Sequence, residues 1–192
     1  MRQLIYSMSV SLDGYIAGPG GEIDWSAPDE ELHRFHNERV RELGAQICGR
    51  RLYEAMLYWE TADRDPALGD TEREFAHIWQ RLPKLVFSTT LTTVQGNWRL
   101  ATGGIADEVA RLKQESGGDI GVGGARLAAA FVELDLIDEY ELFVNPVILG
   151  GGTPFFPPTA RRLELELLET RTFGSRVVHS RYRRLTAEQR RQ

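Results

Sequence analysis

The stretch at residues 119–131, DIGVGGARLAAAF, constrains the fold more than any other. Ile120 and Val122 form a short apolar strand pattern, and Ala125 to Phe131 form a helix pattern. Gly123 and Gly124 stand where one becomes the other. Two residues without a β-carbon let the backbone take positive φ and approach a neighbouring chain or ligand closely. The amides that follow belong to a helix start, where N–H groups lack intrahelical partners and the dipole favours an anion. Arg126 adds a full positive charge in that first turn, against the dipole, and so calls for a compensating group. The spacing is not GxGxxG, so the usual dinucleotide fingerprint is missing. Two readings stay open on local grounds: a phosphate or pyrophosphate site, or a tight turn that needs glycine for geometry alone.

A chain of 192 residues is most simply one domain with a self-sufficient core. The net charge of −5 argues against nucleic acid as a partner. Residues 161–192 carry nine Arg against four Glu, a local +5 that leaves −10 for the rest. A solvated edge accounts for that basic end more simply than a phosphate-facing surface. The single cysteine, Cys48, excludes an intrachain disulfide and a cysteine zinc cluster, and its apolar neighbours predict a buried thiol. The N-terminus enters a strand pattern at once, without a signal peptide's apolar core, and no apolar run is long enough to cross a membrane. A cytoplasmic protein is expected.

Along the chain, Leu4 to Leu12 alternates, with Leu4, Tyr6, Met8 and Val10 on one face and Ile5, Ser7, Ser9 and Ser11 on the other. That pattern predicts a strand with one packed face and one lined by hydroxyls. A glycine-rich loop follows at 18–21. Ser26 with Asp29 resembles a capping box for a helix from about Pro28 to Leu43, stopped by Gly44. Ala45 to Gly49 is a second buried strand, and Gly49-Arg50-Arg51 opens another helix. Residues 61–73 form a polar loop before a short helix at Glu74 to Arg81. Lys84 to Phe87 is the third strand, with Ser88-Thr89-Thr90 directly behind it, and Leu100 falls in a further short strand. Ile105 to Glu115 is an amphipathic helix. After the 119–131 junction come a long strand from Ile137 to Leu149 and a closing hairpin turned at Phe173-Gly174-Ser175. The last residues, from Thr186, fray.

Repeated strand-to-helix alternation predicts right-handed crossovers. The fold class is α/β: a mixed, mostly parallel open sheet with helices on both faces and an antiparallel C-terminal hairpin. Ligands in such sheets bind at the carboxyl ends of the strands. In this chain those ends are Asp13-Gly14, Gly49-Arg50, Ser88-Thr89-Thr90 and Gly123-Gly124. Four small or polar clusters along one edge favour a ligand cleft over turn geometry alone.

In order, Met8-Ser-Val-Ser-Leu-Asp-Gly-Tyr-Ile-Ala-Gly, Asp24-Trp25, Gly49-Arg50-Arg51-Leu-Tyr-Glu, Ser88-Thr89, Gly121-Val-Gly-Gly-Ala and Pro146-Val-Ile-Leu-Gly-Gly-Gly resemble the dihydrofolate reductase superfamily. The closer resemblance is to the reductase domain of bifunctional riboflavin-biosynthesis deaminase–reductases and its stand-alone relatives. It covers nearly the whole chain as a single domain. The resemblance implies NADPH as cofactor and hydride transfer to a small heterocyclic or ribosylamino-pyrimidine substrate. It implies that Gly123, Gly124, Ala125 and Arg126 hold the pyrophosphate, with Val122 and Leu127 also binding the cofactor, and that Gly49, Arg50 and Arg51 hold phosphates. Ser88 and Thr89 would lie against the adenosine ribose and its 2′-phosphate. Ile16 and Ala17 would flank the nicotinamide beneath a lid at 18–22. It also implies a homodimer. The paired arginines favour the extra phosphate of NADPH over NADH.

Dihydrofolate reductases carry an acidic residue on the first helix, but here counting lands on Glu30 from one side and Glu31 from the other. Glu31 is the substrate candidate, with Trp25, Tyr53 and Trp59 as pocket walls. Ordinary core packing is the competing reading for all three aromatics. Asp24 and Asp13 are the candidate carboxylates for proton delivery, each with a capping or turn role as its alternative. His33 and His36 read as a solvated helix face, and the histidines form no metal-ligand pattern. Two further functional readings stand beside the first: a catalytically silent nucleotide-binding module, and a plain dihydrofolate reductase.

Overall fold

The computed structural model describes residues 1–156, 158 and 162–186. The expected fraying at the chain end falls mostly on 187–192, outside the described residues. The strands are β1 (Leu4–Ser11), β2 (Tyr15–Ala17), β3 (Leu43–Gly49), β4 (Lys84–Phe87), β5 (Trp98–Leu100), β6 (Asp119–Gly123), β7 (Glu139–Asn145), β8 (Thr153–Pro154), β9 (Leu165–Thr172) and β10 (Val178–Arg184). The helices are α1 (Glu30–Glu42), α2 (Arg50–Met56), α3 (Asp70–Arg81), α4 (Ile105–Gln114) and α5 (Ala125–Glu133). The main sheet runs β5-β4-β3-β6-β1-β7-β10-β9. Its first six strands are parallel, and β10 and β9 are antiparallel. The expected fold class is the observed one. None of the described helices is long and apolar enough to cross a membrane.

Side-chain alternation divides the sheet into two unlike faces. One face presents Leu4, Tyr6, Ala45, Ile47, Ile120, Val122 and Tyr140 to Val109 and Leu112 of α4 and to Ala128, Phe131 and Val132 of α5. Each fully buried large apolar side chain there contributes roughly 1.5–3 kcal/mol. The opposite face is covered by two smaller groups. Tyr53, Phe75 and Trp79 pack on Cys48, Val86 and Trp98. Leu32 and Phe35 of α1 pack on Phe143, Phe173 and Val177. Between those groups the sheet is not filled, and the candidate site lies there.

Several boundaries differ from expectation. Asp29, not Ser26, caps α1, accepting from the Leu32 amide at 2.9 Å. The Ser26 hydroxyl instead donates to the Ile23 carbonyl at 2.7 Å, closing a 3-10 turn at Asp24–Ser26. Gly44 does not stop the helix but lies inside β3. The polar loop at 61–73 contains a 3-10 turn at Ala62–Arg64 and the first turn of α3. The long strand ends at Asn145, because Pro146 has no N–H to continue the ladder. The 145–156 segment that follows is fastened to β1. The Tyr6 hydroxyl donates to the Phe155 carbonyl at 3.1 Å and its ring stacks on Phe155 at 4.2 Å. Burial pushes that phenol's pKa up.

Tyr15–Ala17, just before the glycine-rich loop, pairs with Thr153–Pro154 in a two-stranded ribbon. Gly152 permits it: φ is +128°, and a β-carbon there would sit 2.0 Å from the Ala17 carbonyl oxygen. Gly152→Ala is expected to lower stability by about 1–3 kcal/mol. Leu12→Ala, at a side chain 65% exposed, is expected to stay within about 0.5 kcal/mol. Urea unfolding of both variants checks this.

Candidate functional site

A cavity of about 430 Å³ opens between the sheet and the helices α1, α2 and α3. Its floor is made by residues of β1, β6 and β7 that point away from the main core. On β1 these are Ile5, Ser7 and Ser9, and on β6 Gly121 and Gly123. Ser7 and Ser9 leave space open, whereas Gly121 and Gly123 let Gln46 and Leu52 lie close on the sheet, where added β-carbons would stand 2.2 Å and 2.3 Å from those side chains. Trp59, Phe75, Trp79 and Phe143 supply flat apolar walls, and Ser26 and Pro28 also line it.

The floor ends in a buried polar network. Ser7 and Glu141 are register partners on β1 and β7, so their side chains share this face. Glu141 Oε1 accepts from Arg39 Nε at 3.0 Å and lies 2.9 Å from His179 Nε2. Burial alone would raise the Glu141 pKa. The bond to His179, the Arg39 charge and the bond to Ser7 outweigh it and hold the carboxyl at about 2. Arg39 NH1 also reaches Glu42 at 3.0 Å. His36 stands beside this network with its ring 4.3 Å from that of Phe143. Its apolar surroundings push its pKa down to about 4, so it is neutral at pH 7. His33 lies 5.7 Å from Phe75 and 6.2 Å from Trp59, ring to ring, and its pKa is lowered by burial. The expectation that His33 and His36 form a solvated helix face is therefore wrong: both line the cavity.

The carboxyl edge of the sheet adjoins this cavity through β6, whose Gly123 borders it. Gly124 caps α5 with φ +94°, a conformation that favours glycine. No side chain caps α5 or α2. A β-carbon on Gly49 would lie 3.7 Å from Leu127 Cβ, so the two helix starts adjoin. Arg50 donates to Thr90 Oγ1 at 2.8 Å and pairs with Glu54 at 2.7 Å. The Ser88 hydroxyl accepts from the Thr90 and Leu91 amides. Arg51 and Arg126 are exposed. The expected cofactor residues from Gly49 to Arg51, Ser88 to Thr89 and Val122 to Leu127 thus lie along one edge. Ile16 and Ala17 lie in the β2–β8 ribbon, with Ile16 packed against the main core.

Of the expected substrate walls, Trp59 lines the cavity. Tyr53 does not: it is buried against Trp98 at 4.9 Å and its hydroxyl accepts from the Gln95 amide. Trp25 donates to the Glu22 carbonyl at 3.0 Å and lies outside the lining. Glu31 points to the closing hairpin, where it accepts from the Gly174 amide at 3.0 Å and from Arg171 at 2.9 Å. Those two contacts, the amide first, lower its pKa. Glu30 is exposed and pairs with Arg34. Asp13 accepts from Ser11 Oγ at 2.6 Å and from the Leu149 and Gly150 amides, which ties two loops together, and it does not line the cavity. Asp24 is exposed in the turn that ends at Ser26. Sequence reasoning missed Glu141, Arg39 and His36. The alternation that put Tyr140, Leu142 and Val144 on one face left Glu139 and Glu141 on the other, inside a sheet, and that was the available signal.

The RibD C-terminal domain family matches residues 2–179. The chain belongs to that family. It is 34% identical over 182 residues to YyaP of Bacillus subtilis (strain 168), covering 94% of each chain. It is 31% identical over 178 residues to YwjB of the same organism, covering 92% of this chain and 95% of that one. Among solved structures, a Shewanella sp. PV-4 protein provisionally assigned to riboflavin biosynthesis aligns at TM-score 0.76 and 25% identity, over 96% and 99% of the two chains. Dihydrofolate reductase from Enterococcus faecalis, complexed with NADP(H), shares the fold at TM-score 0.62 and 14% identity, over 96% and 97%. A RibD C-terminal domain fold is thus the frame for the site.

The depressed pKa values of His36 and Glu141 predict an acid response in two stages. His36 is protonated in the unfolded chain below its ordinary 6.5 but in the fold only near 4, so stability falls as pH drops through that window. Glu141 titrates near 2 in the fold against an ordinary 4.5, so its contribution is lost lower, between about 4.5 and 2. His36→Gln is expected to flatten the upper stage and leave the lower one. Urea midpoints measured from pH 7 to 3 check this.

Proposed function

We propose that the chain is an NADPH-dependent reductase that transfers hydride to a small heterocyclic substrate seated in the cavity. One observation carries this reading. Gly123 borders the cavity, and the next residue, Gly124, opens the helix start beside Gly49 and Arg50, so an extended cofactor laid along that edge would end at the cavity floor. The residues fit such a cofactor. Two helix starts without side-chain caps offer amides to a diphosphate, and Arg51 and Arg126 are exposed beside them. Bound NADPH supplies the hydride. The chain's own residues anchor phosphates at Gly49–Arg51 and Gly124–Arg126, hold the flat ring between aromatic walls, and limit water around it. Asp24, in the same turn as the cavity-lining Ser26, is the proposed carboxylate for proton relay from solvent. A ribosylamino-pyrimidine remains a candidate substrate through the riboflavin-biosynthesis relatives. A homodimer is also proposed, supported by β9, a sheet-edge strand with Leu167 52% exposed.

Arg126→Glu tests the cofactor edge, because that exposed side chain can be reversed without disturbing the core. NADPH affinity by calorimetry is expected to fall at least about ten-fold, equivalent to ~1.4 kcal/mol. Unchanged affinity refutes the placement. NADPH oxidation across a panel of pyrimidines, pteridines and other flat N-heterocycles tests the reaction. Tight cofactor binding without turnover on any of them favours a silent nucleotide-binding module.

A further inference from the structure

The cavity's charges are arranged against anions. Among the described residues, Arg39 is the one Lys or Arg in its lining. It is already engaged twice, by Glu141 at 3.0 Å and by Glu42 at 3.0 Å. Glu72 and Glu141 add two carboxylates to the lining. Glu72 uses one oxygen to accept from the Gly69 amide at 2.8 Å and is partly exposed. His179, behind Glu141, faces the carboxylate rather than the cavity. The lining therefore holds more negative than positive charge, and its cation is neutralised in place. Phosphate and carboxylate ligands need uncommitted Arg or Lys donors.

We propose that this cavity selects an uncharged, flat aromatic N-heterocycle bearing no phosphate or carboxylate inside it, and that the Arg39–Glu141 pair with Glu72 is the selectivity filter. Trp59, Phe75, Trp79 and Phe143 supply stacking and edge contacts for such a ring. Ser7, Ser9, Gln46 and a neutral His36 supply donors and acceptors without net charge. A bound anion would be repelled by Glu72 and would compete with Glu141 for Arg39. This inference rests on the cavity being the substrate site of the proposed reductase, and it extends that reading to the class of substrate.

The test uses two matched probe pairs with the cofactor absent: pterin with pterin-6-carboxylate, and quinoxaline with quinoxaline-2-carboxylate. Binding is followed by quenching of tryptophan fluorescence, since Trp59 and Trp79 line the cavity. At neutral pH the wild type is expected to bind each uncharged probe at least about ten-fold more tightly than its carboxylate. Glu72→Gln, which keeps an oxygen for the Gly69 amide, is expected to narrow the ratio by about three-fold. Glu141→Gln, which releases Arg39, is expected to narrow it further or reverse it. Equal or tighter binding of the carboxylates by the wild type overturns the proposal. So does a ratio that Glu72→Gln leaves unchanged, or an absence of binding by all four probes. Discrimination among these probes, together with no NADPH oxidation on the heterocycle panel when cofactor is supplied, sustains the selectivity and refutes the reductase reading, so the two failures are separable.

Discussion

The period-two alternation of the central parallel strands governs both the core and the site. On β1, β6 and β7 one set of alternating positions is aliphatic or aromatic and is sealed by α4 and α5. The other set includes Ser7 and Ser9, too small to fill the space beneath the helices opposite, and Gly121 and Gly123, against which Gln46 and Leu52 lie. A void is the geometric result. A dry, closed void of about 430 Å³ would cost on the order of 10 kcal/mol at ~24 cal/mol per Å³. That matches the whole stability of a typical domain. The cavity is sustainable because it is open and lined by hydroxyls, imidazoles and carboxylates that hydrogen-bond water.

The Arg39–Glu141–His179 network is the costly part of this arrangement. Taking a carboxylate out of water costs several kcal/mol, and a buried ion pair does little more than offset that. Apolar side chains of similar volume at these positions would stabilise the fold at least as well. The network's evident effect is local: it keeps Glu141 ionised and holds Arg39 against the cavity floor. Other buried charges in the molecule serve the scaffold. Glu108 is held near 2 by Arg99 first, with the Gly103 and Thr102 amides adding to it, and so closes the approach to α4. Buried Lys84 ties Glu60 to the carbonyls of Trp79 and Leu82, and burial lowers its pKa. None of Glu108, Arg99, Lys84 and Glu60 lines the cavity.

Much of the fold was legible because local patterns and tertiary structure agree. The hydroxyl face of β1, the small β5 at Leu100, the turn at 173–175 and the glycine junction at 123–124 all depend on residues adjacent in sequence. Boundaries slipped where two local signals competed. Asp29 and Ser26 both suit a helix cap, and packing selected Asp29. Gly44 suits a helix stop, yet it lies in β3 where a β-carbon would meet the Gly118 backbone at 2.7 Å. The site was read less completely. Glu31 and Tyr53 were plausible as pocket residues by position on their helices, but the rotation of each helix turned them elsewhere. His36 and Arg39 are i and i+3 on α1 and share a face, although nothing local identifies that face as the covered one.

By itself the sequence determined the class of fold, the two-faced character of β1 and the glycine-rich carboxyl edge, because each follows from strand period, helix start chemistry and the absence of β-carbons. Tertiary structure alone decided which carboxylate faces the cavity. Glu141 lies 102 residues from Arg39 and 38 from His179. No local periodicity couples such distant positions. They meet because β7 pairs with β1 in a register that sets Glu141 beside Ser7, and because α1 crosses that point with Arg39 facing down.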